Sequence, residues 1–271
     1  MSAYQCYEFV ALDRPLTSEE MAKLRRVSSR AEISPTRFWN EYQYGDFKGD
    51  PVKLVEKYFD AHMYSANWGS RRLILRLPLT RVDSKRLKAY FVGGTTASAR
   101  VTSDYLILDL ETEDEGANEE DENPGTLATL TPIRTELIRG DLRGAYLAWL
   151  RAVQEGQVDD DAEEPAVPPG LSDLTAAQAA LVEFFRIDED LIAAAAEASE
   201  AETVDLAALR RWVLGLSPRK KDEWLRRAID DPDLALGGDL LAAFRAQLKP
   251  PPASKQRTVA QLWEAVEKLG E

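Results

Sequence analysis

The sequence predicts an α+β fold, with a sheet-and-helix domain at the N-terminus followed by a mostly α-helical C-terminal region. Three observations carry this expectation. Of the chain's 23 aromatic residues, 15 fall within residues 1–110 of the 271. Strand-type alternation is confined to that same stretch, and beyond residue 126 apolar residues recur only at helical spacing. With 44% of its residues apolar, the chain has enough material for a sizeable core.

Each element follows from local chemistry. Tyr4 to Leu12 is rich in aromatic and β-branched residues and reads as a strand. Pro15 and Thr17-Ser18-Glu19-Glu20 form a turn and capping box, opening a helix through Met21, Leu24 and Val27 that ends near Arg30, before Ser34-Pro35. An aromatic stretch, Phe38 to Tyr44, closes on Gly45, and Asp50-Pro51 then caps a second helix. Val52, Val55, Phe59, His62 and Ala66 share a face at helical spacing, so this helix is expected to carry His62. Arg72 to Leu77 alternates, predicting a strand with leucines buried and Arg72, Ile74 and Arg76 on a more polar face. Asp83 to Phe91 reads as a short helix, Gly93-Gly94 as a turn, and Ala99 to Leu110 as a last strand.

Charge divides the remainder. The net charge of −13 is distributed as +4 over residues 1–110, −12 over 111–170 and −5 over 171–271. Like-charge runs without apolar periodicity read as solvated linkers at 111–125 and, with Pro165, Pro168 and Pro169, at 155–170. Between them, 126–154 has the spacing of a helical hairpin. Residues 171–271 are expected to be helical throughout, in segments 174–201, 205–216, 218–230, 240–248 and 259–269.

Several function classes lose their chemistry at once. One histidine, His62, and one cysteine, Cys6, cannot build a Cys/His zinc site or an intrachain disulfide. His62 is expected at the edge of the core with its ring bonded to a carbonyl, and Cys6 as a buried, unreactive thiol. The apolar runs are far shorter than the roughly 18 residues of a membrane span, and no basic-then-apolar leader opens the chain, so a cytoplasmic protein is expected. Ser217 to Lys220 reads as a helix cap rather than a nucleophile, and Gly93 to Ser98 lacks the lysine of a phosphate loop. No catalytic residue, cofactor or metal is therefore assigned.

What remains is a concentration of aromatic and arginine side chains in Phe38 to Pro51 and Tyr64 to Arg72. Rigid aromatics bury much area at low entropic cost, which suits a contact surface. Trp39, Tyr42, Tyr44, Phe47, Trp68, Arg71 and Arg72 are the candidate partner-binding residues, and a non-catalytic interaction or adaptor protein is the leading expectation. Two alternatives stand beside it. One is an enzyme using Glu41 or Asp46 with Arg71 in a pocket of the first domain. The other is a weak single-strand nucleic-acid binder using Arg71, Arg72, Arg76, Arg81, Lys85, Arg86 and Lys88, against which the small +4 charge argues.

Four segments, Ala11 to Thr17, Tyr44 to Pro51, Ala66 to Arg72 and Leu75 to Pro78, resemble an uncharacterised family of bacterial proteins. Arg139 to Arg143, Tyr146 to Leu150, Arg186-Ile187-Asp188 and Ala195 to Ser199 extend the likeness over most of the chain. The resemblance brings no assigned activity or site residues. Members are often encoded beside SWIM-type zinc-finger proteins, which implies a bacterial origin and a shared complex or pathway with such a partner.

Overall fold

In a computed structural model, the described residues are 4–92, 94–113, 126–200, 206–230, 236–245, 247 and 257–270. Seven antiparallel strands form one sheet. β1 (Gln5–Val10) lies between β3 (Arg37–Tyr42) and β4 (Ala61–Ala66), with the two-residue β2 (Glu32–Ile33) outside β3. β5 (Arg71–Pro78) joins β4, and β7 (Tyr105–Thr112) and β6 (Ala97–Val101) complete the order β2-β3-β1-β4-β5-β7-β6.

Helices cover both faces of this sheet. α1 (Ser18–Val27) begins at a capping box of Thr17 and Glu20, and α2 (Pro51–Lys57) begins at an Asp50 cap with Pro51 in its first turn. They enclose a core of Phe9, Phe38, Phe59, Ile74 and Ile107 with Leu24 and Val55. On the other face, Leu73, Leu75, Leu77, Leu106, Leu108 and Leu110 pack with α4 (Leu127–Ile138) and α5 (Arg143–Gln154). Each fully buried leucine there contributes about 1.5–3 kcal/mol by leaving water. Pro132 interrupts the hydrogen-bond ladder of α4, and Thr131 Oγ1 donates to the Ala128 carbonyl at 3.1 Å in its place.

The remaining helices are α3 (Ser84–Lys88), α6 (Ala176–Phe185), α7 (Glu189–Ala196), α8 (Leu206–Gly215), α9 (Pro218–Asp230), α10 (Leu236–Arg245) and α11 (Val259–Leu269). The architecture is α+β, with the sheet in the N-terminal half and a mostly helical C-terminal region. No helix among the described residues is long and apolar enough to cross a membrane.

Five details depart from expectation. The second helix ends at Lys57, so His62 and Ala66 lie on β4. The Arg72-Ile74-Arg76 face of β5 is covered, because two helical layers sandwich the sheet. The 99–110 stretch is a hairpin, split at Thr102 to Asp104, where Thr102 Oγ1 accepts the Tyr105 amide at 3.0 Å. Arg186, with φ of 50°, closes α6 and Asp188 caps α7, dividing the expected 174–201 helix.

Fifth, the acidic segment 155–170 is docked rather than solvated. Tyr90 donates to the Ala166 carbonyl at 2.6 Å, and the Glu164 and Val259 amides bond the Arg257 and Ala162 carbonyls. Glu164, 3% exposed, accepts from Tyr146 and Arg257. A buried cation and hydroxyl overcome the solvation expected of the carboxylate run. The 126–154 hairpin likewise shares one core with the sheet and with α6, α7 and α11. Of the 111–125 run, Glu111 and Thr112 belong to β7, and 114–125 lie outside the described residues.

Candidate functional site

Antiparallel register converts sequence alternation into rows that cross the sheet. One row reads Asn40, Tyr7, Tyr64, Arg72 and Glu111, from β3 through β7. The next reads Phe38, Phe9, His62, Ile74 and Asp109. α1 and α2 cover the apolar members of the second row. Asn40, at one end of the tyrosine row, is buried and donates to Ser28 Oγ at the end of α1 at 2.8 Å, and from Tyr7 to Glu111 a hollow of about 200 Å³ opens, lined by Tyr7, His62, Tyr64, Arg72, Glu111, Phe47, Gly49 and Pro51.

Aromatic contacts build its walls. The Phe47 ring stacks on Tyr7 at 4.8 Å between centroids, and Tyr64 lies 4.6 Å from Tyr7 on the neighbouring strand. Tyr42 meets Tyr7 edge-on at 5.9 Å. Gly49 is required for this packing, since a Cβ there would sit 2.7 Å from the Phe47 ring. The Gln5 amide organises the phenols. Its Oε1 accepts from Tyr7 at 3.0 Å and Tyr64 at 3.3 Å, while its Nε2 donates to the Gly45 carbonyl at 2.8 Å.

The polar groups are held in defined protonation states. Arg72 donates from Nε and Nη2 to the two oxygens of Asp109 at 2.8 and 2.7 Å, and lies 3.6 Å from Glu111. Burial raises the Glu111 carboxyl above the ordinary range, with Arg72 pulling in the opposite direction. Burial also pushes Tyr7 up to about 12, and raises Tyr64. His62 is wholly buried between Phe9, at 4.0 Å, and Tyr7, and burial lowers it to about 3. Its Nδ1–H donates to the Glu8 carbonyl at 2.9 Å, as its place at the core edge implied, while Nε2 has no partner. The ring is therefore neutral with a lone pair at Nε2.

The seven sequence-predicted residues divide between sites. Phe47 and Arg72 line the hollow, Tyr42 meets its Tyr7 wall edge-on, and Tyr44, in the segment that links β3 to α2, is 83% exposed. Trp68 lies in the β4–β5 turn, partly exposed, donating from Nε1 to Ser70 Oγ at 2.9 Å. Trp39 is on the opposite face, under the Arg37 guanidinium and beside Cys6, whose thiol burial pushes up to about 11. Arg71 is also on that face, buried, donating to the Glu183 and Phe184 carbonyls of α6. It fastens the sheet to a helix and is not part of an exposed surface.

Glu41 and Arg71 share a cross-strand row through Cys6 and Ser65, but stand three strands apart, roughly 14 Å at ordinary strand spacing. Asp46 bonds Gln5 on the other face, so these three groups do not converge. Arg72 and Arg76 are committed to Asp109 and Asp60, which withdraws them from a phosphate-binding surface. Among the described residues, no three His, Cys, Asp or Glu side chains cluster closely enough to hold a metal ion.

Tyr7, His62, Tyr64 and Glu111 were not singled out together by sequence reasoning. Alternation of Tyr7 with Phe9 and of His62 with Tyr64 was the available signal. No protein-family model, no curated protein and no solved structure matches the chain.

Proposed function

We propose that this chain is a non-catalytic interaction or adaptor protein that engages a protein partner through the aromatic surface of Tyr42, Tyr44 and Phe47 beside the hollow. The observation that carries this reading is Tyr44. A large ring, 83% exposed, stands beside Gly45, whose φ of 83° forms the turn and whose carbonyl is held by Gln5. An exposed aromatic on an anchored stem loses little entropy when covered, which is the economy of a contact hot spot.

An adaptor needs a second surface, and Leu206, Leu214, Leu225 and Ile229 on α8 and α9 are all exposed. The bacterial resemblance nominates a SWIM-type zinc-finger protein as the first partner to examine. Cytoplasmic residence belongs to the same proposal and draws on the single thiol.

The test is cross-linked affinity capture from the native cell with wild type and Tyr44→Ala. One stoichiometric protein retained by wild type and lost by the variant, with unchanged melting temperature, supports the reading. Retention of that protein by Tyr44→Ala, capture of no protein, or turnover of a metabolite by the purified chain overturns it.

A further inference from the structure

We propose that the outward face of α8, a line of Leu206, Arg210 and Leu214, docks into an apolar groove rimmed by carboxylates on a partner protein. This rests on the adaptor reading and names the partner chemistry that its second surface fits.

The ten residues of α8 divide by face. Trp212 turns toward α10, where its ring lies 5.8 Å from Phe244 and its Nε1 donates to Gln247 at 2.9 Å. Those contacts fix the rotation of the helix. Leu209 and Val213 are half-buried beside Trp212. Leu206, Arg210 and Leu214, spaced by four residues, form one line along the helix and are all exposed. Leu206 is 57% and Leu214 75% exposed, and they stand about 12 Å apart along the axis. Large apolar side chains held outward on a fixed helix mark a contact surface.

Charge selects the partner. The only charged residues of α8 are Arg210 and Arg211, so its outward face carries no carboxylate. Arg210 makes no ion pair among the described residues. Lys221 Nζ donates to the Leu214 carbonyl at 2.8 Å, which brings the start of α9, with exposed Arg219 and Lys220, to the end of the line. Together α8 and α9 hold seven basic and three acidic side chains, in a chain whose net charge is −13. A basic face on an acidic protein is complementary to an acidic one.

The arrangement fits a helix-in-groove contact, with leucines as anchors at i and i+8 and a carboxylate of the groove meeting the guanidinium between them. A bilayer fits less well. An interfacial helix presents an unbroken apolar stripe, whereas Arg210 interrupts this one, and anionic lipid repels the rest of the chain.

Fluorescence anisotropy of a labelled amphipathic peptide, with leucines at every third and fourth position and glutamates between them, tests the contact on the full-length chain. Its twin has glutamine for each glutamate. The chain as a whole repels the acidic peptide, so a preference for it over the twin reports a local basic face. The acidic peptide is expected to bind about tenfold more tightly than the twin, Leu214→Ser to weaken it about tenfold, and Arg210→Glu to abolish the preference. Both substitutions are at exposed positions and leave the melting temperature unchanged. Tyr44→Ala binds the peptide as wild type does, which separates a failure at α8 from a failure of the Tyr44 surface.

Equal binding of the twin, or unchanged affinity in Leu214→Ser or Arg210→Glu, overturns the proposal, as does loss of the peptide in Tyr44→Ala. Two other occupants are tested on the same variants. Cosedimentation with vesicles of equal parts phosphatidylglycerol and phosphatidylcholine that Leu214→Ser abolishes assigns the face to a membrane, and concentration-dependent self-association that Leu214→Ser abolishes assigns it to a second copy. Either result overturns the partner groove.

Discussion

Arg76 and Asp60 form a buried ion pair at 2.8 Å, and Arg134 from α4 lies 3.5 Å from the same carboxylate oxygen. The other oxygen accepts the Leu12 and Asp13 amides at 2.6 and 2.9 Å. Arg134 also donates to the Arg76 carbonyl and pairs with Asp13. One carboxylate thus holds the end of β1, the start of β4, β5 and a helix of the opposite layer.

Removing that charge leaves Arg76 buried without its counter-charge, while Arg134 keeps Asp13. Asp60→Asn is expected to lower stability by about 3–5 kcal/mol, read as a shift of the urea midpoint at neutral pH. Burial raises the Asp60 carboxyl, but the Asp13 amide, Arg134 and Arg76 outweigh it and hold it below the usual range. A depressed folded value means the stabilisation is present above the unfolded value of about 4 and is lost as pH falls below it. Asp13, raised by burial, opposes part of that slope. Urea midpoints across the acid range should fall in wild type and fall less steeply in Asp60→Asn.

His62 makes a second pH prediction. Its folded value of about 3 lies below the ordinary 6.5, so between these values the unfolded chain takes up a proton that the folded one refuses. Stability is full above pH 6.5 and declines with acidification by about 1.4 kcal/mol per pH unit inside that window. The ring resonances should stay those of the neutral Nδ1–H tautomer from pH 8 to pH 5. Appearance of an imidazolium signal near pH 6 contradicts the buried placement.

Gly49→Ala brings a Cβ to 2.7 Å from the Phe47 ring and 3.0 Å from Val27 Cγ1. Either the ring leaves Tyr7 or the loop shifts. The expected cost is about 1–3 kcal/mol, as for other overpacked sites, with a change in the near-ultraviolet circular dichroism of the tyrosines. Introduced into a Phe47→Ala background, Gly49→Ala should cost less than it does in wild type, because the ring it strikes is gone.

Arg257 closes the far side of the molecule. It pairs with the buried Glu164 and donates to the Ala194 carbonyl at 3.0 Å, just ahead of α11. Arg257→Ala strands Glu164 without a counter-charge, at an expected cost of about 3–5 kcal/mol. Hydrogen exchange should then accelerate in residues 159–166 and in α11 ahead of the sheet. Uniform acceleration across the sheet would contradict a local fastening role.

Caps and turns were legible because their chemistry is local. Thr17 with Glu20, Asp50 with Pro51, and Asp83 each satisfy amides within three residues of themselves. The helix at Val259–Leu269 agrees with the bounds that its apolar spacing gave. His62 was misassigned because Phe59, His62 and Ala66 fit helical spacing while Ala61, Met63 and Ser65 fit strand alternation. Pairing with β1 and β5 settles that ambiguity, and the pairing partners lie outside any local window. The hollow shares this origin. Tyr7, Tyr64, Arg72 and Glu111 come from four strands, and register alone puts them in one row.

The amino-acid string alone was sufficient for the α+β class, the capped starts of the helices at Ser18, Pro51 and Ser84, the lone thiol and imidazole, and the aromatic richness of the first half, since each follows from composition or from neighbours a few residues apart. Three-dimensional packing assigned the roles: Arg71 to a helix–sheet fastening, Arg72 to a hollow, the acidic 155–170 segment to a docked strap. A side chain's surroundings are set by whichever distant strands and helices close over it, and that closure is a property of the whole core.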